Sequence, residues 1–330
     1  MLQNLIGRRN LAASLAFAAG IGCLTAVSSA QLSITDGSST AMFNLPGIAG
    51  GTVAGQPTGM YYLDRNNPGA SSDWLQDVSN SASQVGTVAS AGNGQWWFIG
   101  INGAPAESID KLGNGSVSQT VNALNVTYGT NVLVSVASQL SGFPQGAYKD
   151  SMTHQIQIIN NNATPVSIKL YGYSNFDLTQ IHVSGSGSPG TFLPAPTNYN
   201  TAVVSGNTIS QVTHLANGVY TSGMNLTFSG GSGTFVGIQA DDAHTTSPSL
   251  FQQLSSGTFT GNLTPTANGS GVTGTNVNQD PEFAYQYNVV IPAGQSQTIN
   301  DMFEITPEPA SLMLLLAGGL LVGARPRRHA

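Results

Sequence analysis

Two adjacent carboxylates, Asp241 and Asp242, follow a strand-like segment over 234–239, and His244 comes shortly after them. Calcium takes about six to eight oxygen ligands, so neighbouring carboxylates supply a nucleus that the backbone carbonyls of a loop can complete. The acidic stretch over 64–77 is a second candidate of the same kind. Neither stretch has the spacing of an EF-hand loop, and a solvated turn is the alternative at both. We therefore expect no cofactor, with calcium at one of these stretches as the alternative.

Two neighbouring indoles, Trp96 and Trp97, lie in a strand-like segment over 95–101. Successive side chains of a strand point to opposite faces, so the pattern allows one indole to be exposed as a flat platform for a sugar ring. Tyr61 and Tyr62 are candidates for the same platform. The alternative is that both tryptophans pack into a core that covers the two faces of the strand.

Signatures of other chemistry are missing from the sequence. No Gly-x-Ser-x-Gly occurs, so the nucleophile turn of a hydrolase is absent, and the histidines lack a zinc-binding spacing. A glycine pattern over 185–190 matches a dinucleotide-binding turn, but the prolines within 191–196 exclude the helix that must follow. We therefore expect a non-catalytic protein. The alternative, a secreted hydrolase, needs distant carboxylates to meet in one cleft, and the candidates are Asp241 or Asp242 with Asp280 or Glu282.

The segments that contain these side chains are predicted to be almost entirely β-strands. Apolar and polar residues alternate in many short segments, which is the pattern of half-buried strands. The strand candidates are 32–36, 95–101, 117–128, 132–137, 152–159, 166–173, 208–215, 224–229, 234–239 and 283–291. Turn-forming residues over 160–165 predict a hairpin, and Pro248 near its first turn supports one short helix over 247–256.

Most strand candidates are separated by turn signals rather than by a helix-length apolar pattern, so the sheets should be largely antiparallel. We expect an all-β fold in which residues 31–306 form an antiparallel β-sandwich of jelly-roll or immunoglobulin-like type. The stretch over 184–196 is rich in Gly, Ser and Pro, which favours a long surface loop. A linker between two separate sandwiches is the alternative.

Charged residues are scarce, at 7% of the chain. Residues 31–306 contain four basic side chains against fourteen acidic ones, so acidic groups exceed basic ones by ten. Nucleic acid is therefore not an expected partner, because its phosphates require basic patches. A polar surface with few charges suits an extracellular protein, although simple solubility also accounts for it.

The first thirty residues have the three parts of a secretory signal peptide. Arg8 and Arg9 form a positive start, an apolar run covers 11–27, and small residues over 28–30 suit cleavage. We expect cleavage at the end of this stretch. The single cysteine, Cys23, would leave with the signal, and the mature chain would then contain no disulfide.

The C-terminal residues combine three unlike elements. A proline-rich motif precedes fifteen uncharged residues over 310–324, and a basic tail follows. The motif and the tail are formed by Pro307, Glu308, Pro309 and by Arg325, Arg327, Arg328. A helix over the uncharged stretch would be about 22 Å long, against about 30 Å of membrane hydrocarbon. We expect a short transmembrane helix whose arginines hold that end in the cytoplasm and leave the body outside.

This order of a Pro-Glu-Pro motif, an apolar helix and arginines at the extreme C-terminus closely resembles the PEP-CTERM sorting signal of Gram-negative bacteria. The resemblance covers residues 306–330. It implies recognition by exosortase, a membrane-embedded cysteine protease-like sorting enzyme that is thought to cut near the motif, so the apolar run is a temporary handle. An ordinary C-terminal transmembrane tail is the alternative. The signal is appended to many unrelated bodies, and it implies a destination rather than an activity.

These patterns together predict an exported, non-catalytic protein of the cell surface or extracellular matrix. Its expected partners are the secretion machinery, the exosortase and, transiently, the inner membrane. The resemblance implies an association with exopolysaccharide or biofilm matrix. The competing function is a carbohydrate-binding module that uses Trp96 or Trp97 and calcium near Asp241.

Overall fold

The computed structural model describes residues 32–36, 39–52, 58–65, 74–76, 95–142, 150–175, 177–179, 198–215, 220–229, 233–242, 248–273 and 281–306. The predicted signal peptide, sorting motif, C-terminal apolar run and basic tail lie outside these residues. The helices in the described ranges lack the length and apolar character that a membrane span needs.

The described residues consist mainly of strands. The first ten are Leu32–Thr35 (β1), Ser39–Asn44 (β2), Gly59–Arg65 (β3), Trp74–Gln76 (β4), Gln95–Ile101 (β5), Glu107–Ser108 (β6), Ser116–Gln119 (β7), Ala123–Gly129 (β8), Val132–Gly142 (β9) and Asp150–Asn160 (β10). The next nine are Val166–Asn175 (β11), Asp177–Thr179 (β12), Asn198–Ser205 (β13), Thr208–Leu215 (β14), Tyr220–Ser229 (β15), Thr234–Asp242 (β16), Gly271–Thr273 (β17), Pro281–Ile291 (β18) and Ser296–Thr306 (β19). A short α-helix, Leu250–Ser255 (α1), and a 3-10 helix over Ile109–Leu112 complete the described elements.

The strands form two sheets, and the pairs within them are antiparallel. The first sheet has ten strands in the order β1-β2-β3-β5-β11-β18-β16, with β4, β12 and β6 attached beside this path. The second sheet has nine strands in the order β17-β13-β14-β15-β19-β10-β9-β8-β7. The two sheets face each other in a sandwich-like arrangement. The prediction of an all-β fold with antiparallel sheets is confirmed.

Apolar side chains at alternate strand positions fill the space between the sheets. Val134 and Val136 on β9, Ile156 and Ile158 on β10, and Ile168 on β11 are each fully buried. The residues between them point away from the core, because side chains alternate along a strand. Each such side chain contributes about 1.5–3 kcal/mol when it is fully buried, so this interface supplies most of the driving force for packing.

All ten strand candidates coincide with observed strands, with one division. The segment over 117–128 is two strands, because β7 ends at Gln119 and β8 begins at Ala123. Strands such as β2, β13 and β19 were not predicted. In β19 the buried positions include Ile299 and Asp301, so a polar residue interrupts the apolar alternation by which a strand is recognised.

Residues 161–165 connect the two sheets, so the predicted hairpin is wrong. β10 pairs with β9 and β19 in the second sheet, whereas β11 pairs with β5 and β18 in the first. Asn160 anchors the connection, because its Nδ2 donates to the carbonyls of Thr164, Ile291 and Pro292 at 2.8, 2.9 and 3.1 Å. Both flanks of β10 and of β11 are already occupied by other strands, which leaves no edge for a hairpin between them.

The alternative of two sandwiches divided at 184–196 is also wrong. Strands from both sides of this stretch share both sheets, since β11 pairs with β18 and β10 pairs with β19. β19 pairs in turn with β15, which also follows the stretch. The interleaved strands form a common core, and residues 184–196 themselves lie outside the described part of the chain.

A layer formed by residues 248–266 packs on the outer face of the first sheet. The predicted helix is present as α1, and it begins with a capping box at Ser249. Glu282 is fully buried on β18 and accepts hydrogen bonds from the backbone N–H groups of Leu250 and Phe251 at 2.5 and 3.2 Å. A carboxylate here satisfies donors that have no partner within the helix, and it complements the positive end of the helix dipole. Glu282 therefore fixes α1 onto the sheet.

Gly172 on β11 makes room for the ring of Tyr285 on the neighbouring β18. A Cβ atom at position 172 would lie 2.0 Å from Cε1 and 2.5 Å from the hydroxyl oxygen of Tyr285. On the other side, Gly172 is paired with Trp97 of β5. The missing side chain lets Tyr285 lie across the inner face of the sheet and approach Trp97.

Substitution of Gly172 by Ala tests this fit. We expect the free energy of unfolding to fall by about 3 kcal/mol, because a buried aromatic ring must move to admit one methyl group. Denaturant unfolding followed by circular dichroism measures the change. Gly261→Ala is the control, since its Cβ would lie 3.3 Å from a ring carbon of the partly exposed Phe259. Equal effects of the two substitutions would contradict the proposed role of Gly172.

Candidate functional site

Five side chains with polar atoms meet in the core between the two sheets. Ser138, His154 and Asp301 lie opposite one another on β9, β10 and β19 of the second sheet. Trp97 on β5 and Tyr285 on β18 face them from the first sheet. All five side chains are at most 3% exposed. We call this group the core polar cluster.

Hydrogen bonds and ring contacts join the members of the core polar cluster across the two sheets. The hydroxyl of Tyr285 donates to Oδ2 of Asp301 at 2.7 Å and accepts from Nε1 of Trp97 at 3.0 Å. Oγ of Ser138 lies 2.8 Å from Nδ1 of His154. The rings of Trp97 and His154 are in edge contact, with centroids 5.1 Å apart. The cluster therefore links the sheets in the middle of an otherwise apolar core.

Burial determines the protonation states within the cluster. It raises the pKa of Asp301 to about 7, although the hydrogen bond from Tyr285 and the nearby indole N–H of Trp97 act in the opposite direction. Burial also lowers the pKa of His154 to about 3. Between these two values both groups are neutral, which avoids the large cost of an isolated charge in an apolar medium. Oδ1 of Asp301 is buried without a hydrogen-bond partner, an arrangement that favours the neutral acid over the carboxylate.

The residue types of a hydrolytic triad occur in this cluster, but their arrangement differs from a working one. In a triad the acid accepts a hydrogen bond from the histidine and the serine faces the substrate. Here the carboxyl of Asp301 accepts from the hydroxyl of Tyr285, and Ser138 is 2% exposed in the interior. The cluster presents no nucleophile to solvent, and its hydrogen bonds serve the packing of the two sheets.

The prediction of a sugar platform at Trp96 and Trp97 is wrong, because the two indoles are only 1% and 3% exposed. Trp97 points toward the second sheet and belongs to the core polar cluster. Trp96 donates its Nε1 to Oγ of Ser108 at 2.7 Å, and its ring meets the ring of Tyr128. The first sheet is covered on both faces at this point, so an indole is buried whichever way it points.

Asp241 and Asp242 end β16 at the border of the described residues. Asp241 is half-buried and accepts a hydrogen bond from Nε2 of Gln239 at 2.8 Å. Burial raises the pKa of Asp241, and the charge of Asp242 adds to this effect against the hydrogen bond from Gln239. In the described ranges no group of three His, Cys, Asp or Glu side chains is placed to hold a metal. His244 and its loop lie outside those ranges, so calcium stays a prediction.

Asp241 and Glu282 are direct partners across β16 and β18, as the hydrolase alternative required of its carboxylates. Glu282 is, however, fully buried, and its oxygens accept from the two N–H groups of α1 and from the hydroxyl of Tyr173 at 2.9 Å. Its carboxylate therefore has a structural role. Asp280 lies outside the described residues.

Outward-pointing hydroxyl and amide groups form a regular surface on β8, β9, β10 and β19 of the second sheet, and Met302 and Glu304 lie on the same face toward the end of β19. The members with hydroxyl or amide groups are partly or fully exposed. They are Asn125, Thr127, Ser135, Gln139, Thr153, Gln155, Gln157, Thr298 and Asn300. We call this surface the outer polar face.

Strand register arranges the outer polar face in rows. One row runs from Thr127 through Ser135 and Gln157 to Thr298, which are successive partners on β8, β9, β10 and β19. Neighbouring strands are about 4.8 Å apart, so the polar groups repeat at that spacing. Within the surface, Nε2 of Gln155 donates to Oδ1 of Asn300 at 3.4 Å. Such an array offers many weak hydrogen bonds to an uncharged partner.

Sequence reasoning missed the outer polar face as a site. The polar residues that alternate with apolar ones in each predicted strand could have indicated this face, for example Thr153, Gln155 and Gln157 of β10. Single strands show only that these residues share a face. The pairing of β8, β9, β10 and β19 in one sheet brings their polar residues together, and that pairing is not readable from alternation.

A scan against models of protein families and a search of curated proteins each found no match to this chain.

Substitution of Asp301 by Asn tests the protonation of the buried carboxyl. Its pKa is 3.8 ordinarily and about 7 in the folded protein. The protonated carboxyl of Asp301 therefore contributes its full stabilisation below pH 3.8. This stabilisation is lost as the pH rises through about 7. We expect the difference in unfolding free energy between the wild type and Asp301→Asn to fall by up to about 1.4 kcal/mol per pH unit between pH 3.8 and about 7.

His154 has the opposite effect, because its pKa changes from 6.5 to about 3 on folding and stability therefore rises with pH between those values. In the wild type the pH dependences due to Asp301 and His154 offset each other over most of the acid range. In Asp301→Asn only the contribution of His154 remains, so the unfolding free energy should rise with pH. Denaturant unfolding at half-unit steps of pH measures both curves. Glu107→Gln is the control, because it removes a carboxyl that is exposed to solvent. A difference between wild type and Asp301→Asn that does not vary with pH would refute the raised pKa.

Proposed function

We propose that this protein is an exported, non-catalytic component of the cell surface or extracellular matrix, sorted by an exosortase, whose outer polar face associates with neutral exopolysaccharide of a biofilm. In this proposal the body of the protein is a sandwich of the jelly-roll or immunoglobulin-like kind. A cleaved signal helix precedes it, and a C-terminal transmembrane helix follows it. The sorting motif is Pro307, Glu308 and Pro309, and the orienting residues are Arg325, Arg327 and Arg328.

The observation that carries the association with polysaccharide is the outer polar face, on which Glu304 lies only toward the end of β19. Its rows of hydroxyl and amide groups match the hydrogen-bonding groups of a neutral sugar polymer. A single hydrogen bond contributes only about 0.5–1.5 kcal/mol, but a polymer can engage many of them at once. The excess of acidic over basic residues in the body disfavours anionic polymers as partners. Neutral polysaccharide is the partner that fits both features.

Export and sorting can be tested by fractionation of cells with and without their exosortase. We expect the protein at the surface or in the medium of normal cells, and retained in the inner membrane when the enzyme is deleted, because the apolar run is then not removed. Immunoblotting of each fraction measures the distribution. A variant with Pro307, Glu308 and Pro309 all replaced by Ala should behave like the deletion strain. Identical distributions in both strains would refute sorting.

Polymer binding can be tested by co-sedimentation of the secreted protein with insoluble neutral polysaccharide. The double substitution Gln155→Ala with Gln157→Ala removes two amides from the outer polar face. We expect about tenfold weaker binding, since two hydrogen bonds of about 0.5–1.5 kcal/mol each are lost. Binding by the wild type should change little with salt, because no charges are paired.

The control for this experiment is Gln253→Ala with Gln295→Ala, which removes two amides from other surfaces. It should sediment like the wild type. Equal binding by the outer-face variant and the control, or binding that salt abolishes, would contradict the role of the outer polar face.

A further inference from the structure

A pocket of about 360 Å³ opens at one end of the sandwich, where three turns meet. Its floor is aliphatic and includes Ile101, Val132 and Val166. Its rim carries three amide side chains, Asn102, Asn131 and Asn162. They come from the turn after β5, from the turn between β8 and β9, and from the connection between β10 and β11. The pocket is therefore built from both sheets.

Hydrogen bonds between the turns hold the rim in place. The backbone N–H of Asn161 donates to the carbonyl of Asn131 at 2.8 Å, and its Nδ2 donates to the carbonyl of Thr130 at 2.7 Å. Nδ2 of Asn162 donates to the same carbonyl of Asn131 at 3.2 Å. These bonds join the β8–β9 turn of the second sheet directly to the connection between the two sheets. A rim that is fixed in advance loses little conformational entropy when a ligand binds.

Asn102 is fixed to the first sheet in a similar way. Its backbone N–H donates to the carbonyl of Ser167 at 2.8 Å, and its Oδ1 accepts from the N–H of Ser167 at 2.9 Å. It has a positive φ of 53°, a left-handed conformation that Asn tolerates better than most residues. This backbone conformation and the two bonds leave Nδ2 of Asn102 without a partner in the described part of the chain.

The rim keeps further hydrogen-bonding groups for a ligand. The side-chain amide of Asn131 and Oδ1 of Asn162 make no hydrogen bond with other described residues, and Asn131 is exposed. With Nδ2 of Asn102, the pocket thus offers both donors and acceptors above an aliphatic floor. The residues that line it are uncharged.

We propose that this pocket binds one neutral sugar unit at the end or at a branch of a polysaccharide. The amides would bond to ring hydroxyls, and the floor would contact the C–H face of the ring. A charged ligand would lose hydration without gaining an opposite charge. The volume lies near the lower limit of about 300–1,000 Å³ for small-molecule pockets, which suits a single unit rather than an extended chain. The sugar class rests on the proposed function, whereas the position of the pocket does not.

The experiment is ligand-observed NMR of the secreted protein with single sugars. The probes are glucose, galactose, mannose and N-acetylglucosamine, with glucuronate and glucosamine as charged counterparts. We expect at least one neutral sugar to bind with a dissociation constant of about 1 mM, because few hydrogen bonds are available to one ring. The charged counterparts should bind more weakly than the neutral sugars.

Two variants locate the binding. Asn131→Ala removes an exposed amide that has no bond in the fold, and we expect about fivefold weaker binding from the loss of one or two hydrogen bonds. Leu112→Trp, at another lining residue, should abolish binding by filling the pocket. Gln253→Ala, on α1 and away from both the pocket and the outer polar face, is the control and should bind sugars normally.

The outcomes separate this inference from the proposed function. Sugar binding that both pocket variants weaken supports the pocket, even if polymer co-sedimentation fails. Absence of binding to every neutral sugar, equal binding of charged sugars, or binding that neither pocket variant changes would overturn the pocket. None of these results bears on whether the outer polar face holds the polymer.

Discussion

The hydrogen bond from Tyr285 to Asp301 is the interaction that constrains how the two apolar sheet faces meet. It crosses from β18 to β19 at 2.7 Å inside a core that is otherwise apolar. Tyr285 reaches this position only because Gly172 has no side chain beneath its ring. Asp301 is tolerated there because burial keeps it protonated over most of the acid range. The buried pair of Tyr285 and Asp301 thus requires glycine at position 172, and it constrains the position of Trp97 and the approach of the two sheets.

Neutrality extends from the interior to the surfaces that we propose to be functional. In the core, Asp301 and His154 are both uncharged between about pH 3 and 7. Around the end pocket the lining side chains are hydroxyls, amides and aliphatic groups, and on the outer polar face hydroxyls and amides predominate, with Glu304 toward one end. Hydrogen bonds between uncharged groups are weakly affected by salt. Surfaces of this kind suit the neutral polymer of the proposed function, because binding to it would depend little on ionic strength.

Prediction of the site from the sequence failed where it depended on exposure. Trp96 and Trp97 were placed correctly on a strand with opposite directions, yet neither is exposed, because one face meets the second sheet and the other is covered as well. His154 was assigned to a strand, but nothing in the sequence relates it to Ser138 or Asp301. Those residues meet because β9, β10 and β19 are neighbours with a particular register. Exposure and register are properties of packing between distant segments.

Alternation of apolar and polar residues was sufficient to predict the all-β class, most of the long strands and the short helix α1, because these are set by local periodicity, turn residues and capping. The sequence by itself also defines the chemistry of the two termini. Tertiary structure decided that residues 161–165 join two sheets, that Asp301 occupies a core position, and that polar residues of four strands form one face. These features depend on strand pairings, of which that between β10 and β19 joins residues more than a hundred positions apart. The free energy of such a pairing depends on the complementary shape and hydrogen bonding of both partners and is not encoded in either strand alone.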